Sequence, residues 1–547
     1  MRATQSFNYI VVGGGSAGCV VANRLSQNPA VRVCLIEAGP SDRKFPTRLK
    51  VDMPIGNTTL LPHDKYNWKH SFTGGARLLD RVIPCPRGRI LGGTSAVNGM
   101  IYIRGHRADY DGWRDLGNPG WGYDDVLPFF KAHENHEAGA DRFHGSGGEM
   151  NVAPLRQINP LCRAFVEAAA ETQLRRNDDF NGAEQEGVGA YEVTQKNGER
   201  WTSARAFLPP AVTARPNLQI VTDALVTQLR FDGNRAVGVT LRQGGATVSF
   251  DVTGEIVLCG GTINSPQLLM LSGVGPAAAL AAHGIAVRRD LPGVGQNLQD
   301  HPTVNLVMTD PGRHSYALTP RSALPLALSV LQYALFRRGR LTSNAVETGG
   351  FVRTSPELKQ PDLQFILMPA LKEMNRTIPR AHGFYLLSIL LRPQSRGEIA
   401  LVSNDLAVRP KLIPNFLDTD ADLDCLTRGI RLGRKILAAP AFAAYRGEEL
   451  IPGATALSDQ ALRDYVRGAV YTSYHPVGTC KMGPTTDPLA VVDGTLRVRG
   501  VDGLRVVDAS IMPTIVSGNT NAPAMMIGER GAAFIQARTP ATSVISG

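Results

Sequence analysis

A glycine pattern near the start of this chain constrains its fold more than any other feature. Residues 9–12 are a β-branched run that predicts a strand, and residues 33–36 predict a second one. Between them, Gly13, Gly15 and Gly18 open a stretch in which apolar residues have helical spacing. A strand, a glycine-rich turn, a helix and a strand form the βαβ unit that binds dinucleotides. The glycines let the backbone approach a pyrophosphate, whose charge the helix N-terminus stabilises.

The acidic residue that closes the second strand narrows the choice of nucleotide. Glu37 follows Gly18 by 19 residues, a position where a carboxylate accepts a hydrogen bond from a ribose hydroxyl. Because a carboxylate disfavours a 2′-phosphate, NADP is not expected, but this motif leaves NAD and FAD both open. Ser16 and Ala17 begin the helix, and we count them with the three glycines as cofactor-binding residues.

Composition excludes several classes of protein. With 547 residues, of which 43% are hydrophobic and 19% charged, the chain can bury a large core and is expected to form one extended domain or two intimate ones. The net charge of +10 is spread without a dense basic run, so no nucleic-acid partner is expected. Seven cysteines without a CxxC pair favour a reduced, cytoplasmic protein. The first residues enter a predicted strand at once, so no export signal is expected.

The distribution of strand, turn and glycine signals divides the chain into five segments. Three of them, 1–155, 215–310 and 466–547, contain nucleotide-like blocks and are assigned to one domain. The segments 156–214 and 311–465 lack glycine signatures. We therefore assign these two segments to a substrate domain that is interleaved with the first domain.

Two helix starts are predicted in the later nucleotide-like blocks. Ser265 followed by Pro266 predicts an N-cap and a first helical position after a strand at 256–259. Asn521, with Pro523 in the first turn, predicts another helix start near the end of the chain. Each helix follows a predicted strand, as in the first block.

Two longer motifs resemble the signatures of a known family. The first consists of Gly88, Arg89, Leu91, Gly92, Gly93, Thr94, Ser95, Val97, Asn98, Tyr102, Gly105 and Asp111. The second consists of Gly261, Thr262, Ser265, Pro266, Leu268, Leu269, Ser272, Gly273, Val274 and Gly275. Their spacing is similar to that in the glucose/methanol/choline (GMC) flavin oxidoreductases, and the resemblance covers nearly the whole chain. It implies FAD rather than NAD and an α/β (α+β) fold, in which a Rossmann-like FAD-binding domain is interleaved with a substrate domain built on an antiparallel sheet flanked by helices.

The resemblance also implies which residues contact FAD. These are Arg89, Gly93, Thr94, Asn98, Gly99, Met100, Val226, Asp508, Ala509 and Thr520. Relatives place residues 98–100 along the isoalloxazine, Val226 at the adenine, and 508–509 at the ribityl chain and flavin edge. In some relatives a histidine is joined covalently to the flavin; this position is Val97 here, so non-covalent FAD is expected. From the residues alone, Gly92 and Gly93 permit backbone contact with a phosphate or a flat ring, and a plain tight turn stays open.

Two residues far apart in the sequence resemble the catalytic pair of the family. His475 lies in the segment YHPVGTC, and Asn519 follows it by 44 residues. An imidazole that titrates near neutrality can take the hydroxyl proton of an alcohol, and an amide can donate a hydrogen bond to the incipient alkoxide. Without the resemblance, a histidine before a proline is as compatible with a structural role. The helix start near Asn521 is expected to stabilise negative charge on the reduced flavin.

Other polar residues are interpreted as structural. The histidines at 133, 136 and 144 belong to a segment predicted to be a solvated polar helix and loop, and no metal is expected there. His301, in NLQDH, matches a family loop and is expected to be structural. Glu347 is expected to face the pocket, as in relatives with uncharged substrates too, so it does not indicate a cationic alcohol.

One segment and the positions of the aromatic residues indicate the substrate class. The run that begins at Gly187 resembles bacterial alkanol, polyethylene glycol and choline dehydrogenases of the family. A quaternary ammonium substrate favours an aromatic cage, but all four tryptophans precede the main substrate segment. We therefore expect oxidation of an uncharged primary alcohol, aliphatic or aryl, to the aldehyde. The alternatives are a choline dehydrogenase, an oxidase that uses dioxygen, a lyase on the same scaffold (hydroxynitrile lyase or photodecarboxylase), and a nucleotide-binding protein without chemistry.

The longest apolar stretch bears on the electron acceptor. Residues 322–336 are too few to span a membrane and are followed by Arg337, Arg338 and Arg340. They predict either a helix of the substrate domain or a helix that lies on a membrane surface. The second interpretation favours a membrane quinone as acceptor and a peripheral position on the cytoplasmic face of the inner membrane. No motif predicts the oligomeric state.

Overall fold

The structure is a computed structural model that describes residues 5–317, 319, 323–371 and 381–537. Its helices are α1 (Ser16–Leu25), α2 (Thr47–Asp52), α3 (Asn57–Leu60), α4 (Arg107–Asp115), α5 (Tyr123–His133), α6 (Pro160–Glu171), α7 (Ser203–Phe207), α8 (Pro210–Thr213), α9 (Gly261–Leu271), α10 (Ala277–Ala282), α11 (Ala323–Phe336), α12 (Asp420–Ala438), α13 (Asp459–Ala469) and α14 (Asn521–Gln536). Its strands are β1 (Gln5–Val12), β2 (Val33–Ile36), β3 (His70–Thr73), β4 (Val82–Cys85), β5 (Glu134–His136), β6 (Met150–Val152), β7 (Gly187–Ala190), β8 (Gln195–Lys196), β9 (Glu199–Arg200), β10 (Leu218–Val221), β11 (Ala224–Asp232), β12 (Arg235–Gln243), β13 (Ala246–Leu258), β14 (Val274–Gly275), β15 (Arg289–Asp290), β16 (Pro302–Thr309), β17 (Thr348–Val352), β18 (Leu363–Met368), β19 (Gly383–Leu390), β20 (Glu398–Ala400), β21 (Lys411–Ile413), β22 (Glu449–Ile451), β23 (Tyr471–Thr472) and β24 (Leu504–Val506).

A mixed sheet contains the predicted βαβ unit. Its strands lie in the order β10, β2, β1, β13, β12, β11, and β24 pairs in parallel with β13. Parallel pairing also joins β10 to β2, β2 to β1 and β1 to β13. Ile10 in β1 lies between Cys34 and Ile256, and all three are buried, as expected for strands covered on both faces. Because the carboxyl ends of parallel strands share one edge, the residues that follow β1, β2, β13 and β24 meet there.

An antiparallel sheet forms the second half of the structure. Its strands lie in the order β22, β16, β19, β18, β17, β7, and β23 pairs with β16. Helix α12 packs against β16 and β19, and α6 packs against β17 and β7. This confirms an α/β fold with a Rossmann-like sheet and an antiparallel sheet flanked by helices. Strands β16 and β23 join the antiparallel sheet although they lie outside the segment 311–465.

Helices α1 and α14 pack against each other and join the two ends of the chain. Arg24 on α1 donates through Nη1 to Glu149 at 2.5 Å and through Nε to Glu529 on α14 at 2.8 Å. All seven cysteines are buried and unpaired. The core is therefore built without disulfide bonds among the described residues.

Two predicted helix starts differ from the structure. Helix α9 has Gly260 as its N-cap residue, so Pro266 lies inside the helix. Pro266 lacks the N–H that would bond to the carbonyl of Thr262 four residues earlier, and the hydroxyl of Thr479 donates to that carbonyl instead, at 2.6 Å. Helix α14 begins at Asn521 itself, whose Oδ1 accepts from the hydroxyl of Ser16 at 2.7 Å and does not cap the helix.

The prediction of a solvated polar segment around residues 133–144 is wrong for His133, Glu134 and His144, which are buried, although residues 137–142 are exposed. His133 is fully buried at the end of α5, and Glu134 is buried against Arg104, with 2.7 Å between Oε1 and Nη2. Burial opposes ionisation, but bonds from His144 and the charge of Arg104 lower the pKa of Glu134 to about 2. The sequence does not reveal a partner 30 residues upstream. In the described part of the chain, no three His, Cys, Asp or Glu side chains are grouped so that they could hold a metal ion.

The long apolar stretch forms helix α11. Ser329 and Tyr333 are buried, and most other described residues of this helix are exposed. Across the described residues, no helix has the length and apolar character that crossing a membrane requires.

Candidate active site

Two glycine-rich turns meet at the N-terminus of α1. The N–H of Gly92 donates to the carbonyl of Gly14 at 2.7 Å. A Cβ atom on Gly93 would lie 2.7 Å from the Cα atom of Gly15, so no side chain fits there. A Cβ atom on Gly15 itself would meet nothing within 4 Å, so open space adjoins the helix N-terminus. This cradle fits a pyrophosphate, because the first N–H groups of α1 have no partners within the helix.

Glu37 lies beside this cradle at the end of β2. Its Oε2 atom accepts from the N–H of Gly14 at 2.9 Å, and its Oε1 atom accepts from the N–H of Gly39 at 2.7 Å. Burial raises the pKa of Glu37 to about 7. The N–H of Ala224 donates to the carbonyl of Glu37, which brings the start of β11, with Val226, to the same edge. The carboxylate is thus placed to accept from a ribose hydroxyl.

A second group of residues continues from the cradle towards the substrate domain. Oδ1 of Asn98 accepts from the N–H of Met100 at 3.0 Å and from Nη1 of Arg200 at 2.9 Å. Arg200 is fully buried, which lowers its pKa to about 9. The carbonyl of Gly99 accepts from Nδ2 of Asn344 at 2.8 Å. Arg200 holds the segment that is predicted to run along the isoalloxazine. It was not among the predicted site residues, although it lies in the run that begins at Gly187.

The remaining predicted cofactor residues are tied to helix termini. Asp508 accepts from the N–H of Gly261 at 2.8 Å, at the start of α9, and from the hydroxyl of Ser265 at 2.6 Å. A carboxylate is favourable there because it faces the positive end of the helix dipole. Thr520 is the N-cap residue of α14, whose first residue Asn521 bonds to Ser16. The start of α14 therefore lies at the start of α1.

Three more residues complete the arrangement of the predicted contacts. Oγ1 of Thr94 accepts from the N–H of Gly88 at 3.2 Å, and the guanidinium of Arg89 lies 5.1 Å from the ring centroid of Trp68. The carbonyl of Ala509 accepts from the N–H of Gly478 at 3.2 Å, next to the predicted base.

The predicted catalytic pair is in direct contact. Nδ2 of Asn519 lies 3.1 Å from Nε2 of His475, and Nδ1 of His475 lies 3.0 Å from Nδ1 of His301. Oδ1 of Asn519 accepts from Nε2 of Gln364 at 3.3 Å, which fixes the orientation of the amide. Because an amide nitrogen can only donate, Nε2 of His475 carries the lone pair and Nδ1 carries the hydrogen. His475 therefore presents an unprotonated Nε2 beside an amide donor.

A buried carboxylate positions both histidines. Oδ1 of Asp300 accepts from the N–H of His475 at 2.9 Å and from the N–H of His301 at 2.7 Å, and Oδ2 accepts from the hydroxyl of Thr472. Burial raises the pKa of Asp300 to about 6 and lowers the pKa of His301 to about 3. Burial also lowers the pKa of His475 well below its usual value, and His301 and Arg87 lower it further. The imidazole of His475 is thus held neutral.

The contact with His301 corrects the prediction that this residue is only structural. His301 bonds directly to the predicted base, and its backbone shares Asp300 with that base. The quoted segment NLQDH contains both residues, so the signal was present in the sequence. It could not be interpreted there, because nothing in the sequence shows that this loop meets residue 475.

The loop that carries Asn519 is fixed from two directions. Oδ2 of Asp109 accepts from the N–H of Ser517 at 2.6 Å, and Oδ1 accepts from the hydroxyl of the same serine at 2.9 Å. A Cβ atom on Gly518 would lie 2.5 Å from Cγ2 of Ile103. The segment that follows residues 98–100 therefore packs against the catalytic loop.

Glu347 does not offer a free carboxylate to the pocket. It is fully buried and accepts from the N–H of Asn159 at 2.5 Å, from the hydroxyl of Ser343 at 2.5 Å and from the hydroxyl of Tyr316 at 2.9 Å. The expectation that it faces the pocket is therefore replaced by a structural role: it joins three segments of the substrate domain.

Comparison with known proteins gives the same assignment as the motifs. The family model described as GMC oxidoreductase matches residues 7–303, and its C-terminal counterpart matches residues 393–528. Alcohol dehydrogenase (acceptor) of Pseudomonas putida is 45% identical over 97% of this chain and 95% of its own length. Mitochondrial choline dehydrogenase of Homo sapiens is 41% identical over 98% of this chain and 90% of its own length.

A solved structure shows the same architecture. Pyridoxine 4-oxidase from Mesorbium loti has a TM-score of 0.86 and 32% sequence identity, and the match covers 96% of this chain and 98% of that one. The chain belongs to the GMC oxidoreductase family and is an FAD-dependent alcohol oxidoreductase.

Proposed function

We propose that the protein oxidises an uncharged primary alcohol, aliphatic or aryl, to the aldehyde, with His475 as base and Asn519 as the donor to the substrate oxygen. The observation that carries this proposal is the 3.1 Å contact between Nε2 of His475 and Nδ2 of Asn519. An alcohol hydroxyl that replaces this contact can donate to one nitrogen and accept from the other. The pair therefore defines one position for a substrate oxygen.

His475, Asn519 and His301 have different roles in the removal of the hydroxyl proton. Nε2 of His475 takes the hydroxyl proton, which typically contributes about 10²- to 10⁴-fold. Nδ2 of Asn519 donates to the oxygen while negative charge grows on it. Nδ1 of His475 keeps its hydrogen bond to His301, which holds the ring in this orientation. The cradle at α1 would hold FAD non-covalently, and bound FAD would supply the acceptor for the hydride of the alcohol carbon.

The charges around the pair support an uncharged substrate. Both oxygens of Asp300, the carboxylate that contacts the two histidines, accept from protein donors. The positive charge of Arg87 also acts on His475 and disfavours a cationic substrate. Gln364, which contacts Asn519, is neutral. The identity of 45% with an alcohol dehydrogenase also supports this substrate class. Choline is the second candidate, because the chain is 41% identical to choline dehydrogenases.

We propose that electrons pass to a quinone or another carrier. The name of the Pseudomonas putida relative refers to an unspecified acceptor, which supports this proposal. Dioxygen is the second candidate, because other relatives, 39% identical, are named oxygen-dependent choline dehydrogenases. The unpaired, buried cysteines support a reducing compartment, and we propose a cytoplasmic location with peripheral contact at the inner membrane.

We also propose a division of the chain into two domains. The FAD-binding domain comprises segments 1–155, 215–310 and 466–547, and the substrate domain comprises segments 156–214 and 311–465. Strands β16 and β23 lie in FAD-binding segments but pair in the sheet of the substrate domain.

Reduction of the bound flavin tests the substrate class. The purified enzyme is mixed anaerobically with alkanols of increasing length, benzyl alcohol and choline, and flavin absorbance is followed. We expect fast bleaching by the uncharged alcohols and slow bleaching by choline. Faster bleaching by choline would establish the second candidate, and bleaching by no alcohol would refute both. Admission of air then tests the acceptor, because rapid reoxidation with stoichiometric peroxide would identify an oxidase.

A further inference from the structure

Helix α11 presents its apolar residues to solvent. Its buried positions among the described residues are Ser329 and Tyr333. Leu328 is 58% exposed, Leu331 54% and Leu335 64%. At 3.6 residues per turn, these three leucines share the face opposite the two buried residues. An ordinary surface helix has the reverse arrangement, so this face is expected to have an apolar partner.

Polar contacts fix the described C-terminal part of α11 on the protein. The hydroxyl of Tyr333 donates to the carbonyl of Asp52 at the end of α2, at 3.3 Å. Arg337, directly after the helix, pairs with Glu199 at 3.0 Å and lies 5.0 Å from the ring centroid of Tyr333. The helix is thus fixed in place while its leucine face stays free for another contact.

The end of α11 is basic. Arg338 and Arg340 are exposed directly after it. The nearby carboxylates of Asp52 and Glu199 both pair with Arg205, at 3.0 and 2.9 Å. The exposed charge at this end of the helix is therefore positive.

The neighbouring segment 44–50, which leads into α2, has the same character. Phe45 is 81% exposed and Leu49 56%. Lys44 precedes Phe45, and Arg48 lies between Phe45 and Leu49; both basic side chains are exposed. Lys50 is half-buried. Two separate parts of the chain thus place apolar and basic side chains together on adjacent elements.

We propose that α11, Arg338, Arg340 and the segment 44–50 form a docking surface for a lipid bilayer that contains anionic phospholipids. Leucine and phenylalanine side chains enter the boundary between headgroups and acyl chains, and basic side chains bind the phosphates. The acyl chains of the bilayer match the exposed apolar side chains, and its anionic headgroups match the basic ones. The exposed basic side chains at 44, 48, 338 and 340 are complementary to the phosphates of such a bilayer.

The docking surface is connected to the candidate active site by a short stretch of chain. Directly after Arg340, the carbonyl of Thr342 accepts from Nε2 of Gln195 at 3.0 Å, and Asn344 donates to Gly99. If the proposed function holds, a lipid-soluble acceptor reaches the enzyme from this side. The docking itself does not depend on that function.

Vesicle flotation of the holoenzyme tests the surface. The probes are vesicles of phosphatidylcholine alone and of phosphatidylcholine with phosphatidylglycerol, at low and high salt. We expect binding to the anionic vesicles that weakens with salt. The double variant Leu331→Glu, Leu335→Glu should bind about tenfold less, because its apolar face is lost. The double variant Arg338→Glu, Arg340→Glu should bind less and lose part of the salt dependence, because Lys44 and Arg48 remain.

A matched control separates the proposed surface from general effects. Leu457, 68% exposed, lies outside α11 and 44–50, so Leu457→Glu should bind like the wild type. All variants should keep wild-type flavin content and wild-type turnover with a soluble dye, which shows that they fold. A wild type that does not float with anionic vesicles, variants that float equally well, or self-association that depends on the same leucines would overturn the proposal. Retained flotation without turnover on any alcohol would refute the proposed function and leave the docking surface standing.

Discussion

Nδ1 of His301 and Nδ1 of His475 lie 3.0 Å apart, so one ring must donate to the other. Because Nε2 of His475 accepts from Asn519, the hydrogen lies on Nδ1 of His475 and His301 is the acceptor. This contact makes His301 a positioning residue for the proposed base, and it determines which nitrogen faces the substrate.

Replacement of His475 by alanine tests the base. We expect the turnover of His475→Ala to fall about 10²- to 10⁴-fold, because no other group takes the hydroxyl proton. The bound flavin and its absorbance should remain. His283→Ala, at the end of α10, serves as the control and should behave as the wild type. Near-normal turnover of His475→Ala would remove the assignment.

Replacement of His301 tests the positioning role. His301→Ala should lower kcat about tenfold, the effect of one lost hydrogen bond, with a smaller change in KM. His301→Gln offers an amide oxygen to Nδ1 of His475, so it should recover most of the loss. Equal losses in the two variants would indicate a purely structural role.

The pH dependence follows from the direction of the pKa shift. Protonation of Nε2 removes the base, so activity falls as the pH drops through the pKa of His475. Burial lowers that pKa well below its usual value, which is about 6.5. We therefore expect kcat/KM to stay high at pH values where an ordinary histidine is protonated. An acid limb at or above the ordinary value in the wild type would contradict this.

The bond between Thr479 and Thr262 gives a stability prediction. Thr479→Val leaves a buried carbonyl without its donor, which costs about 1–3 kcal/mol of unfolding free energy. Pro266→Ala restores the helical N–H that this carbonyl lacks. In the Pro266→Ala background, Thr479→Val should therefore cost less than in the wild type. Denaturant unfolding of the four proteins measures the difference, and an equal cost in both backgrounds would show that the proline is not the reason for the bond.

The cradle for FAD can be tested at one glycine. Gly93→Ala places a Cβ atom 2.7 Å from Gly15, so the purified protein should contain little FAD. Gly245→Ala is a matched control, because that glycine also has positive φ, +83° against +56°, but meets nothing within 4 Å. Flavin absorbance relative to protein absorbance measures occupancy. Full occupancy in Gly93→Ala would show that the two turns do not need this close approach.

The strands and helices that could be predicted are those whose signal lies within their own residues. The β-branched run at 9–12 predicted the second half of β1, which begins at Gln5. The apolar runs predicted β2 and α11 at nearly their observed positions. The start of α9 was wrong because Pro266 is tolerated inside a helix only when another group satisfies the orphaned carbonyl. That donor, Thr479, lies more than 200 residues away, and no local signal reports it.

In the candidate site, too, residues that act through contacts distant in the sequence could not be predicted. His475 and Asn519 were predicted because their motifs resemble those of a family. Asp300 and Gln364 contact them only through the fold, so neither could be chosen from the sequence. The burial of a polar side chain is also not evident from the sequence. Glu134 lies in a polar segment that predicts exposure, but it forms an ion pair inside the protein.

The hydrogen bond between Ser16 and Asn521 has a consequence for biosynthesis. The first strand, turn and helix leave the ribosome early, yet the mouth of the cofactor cradle stays incomplete until translation has passed residue 521. Helix α1 therefore gains this partner only after 505 further residues have been translated.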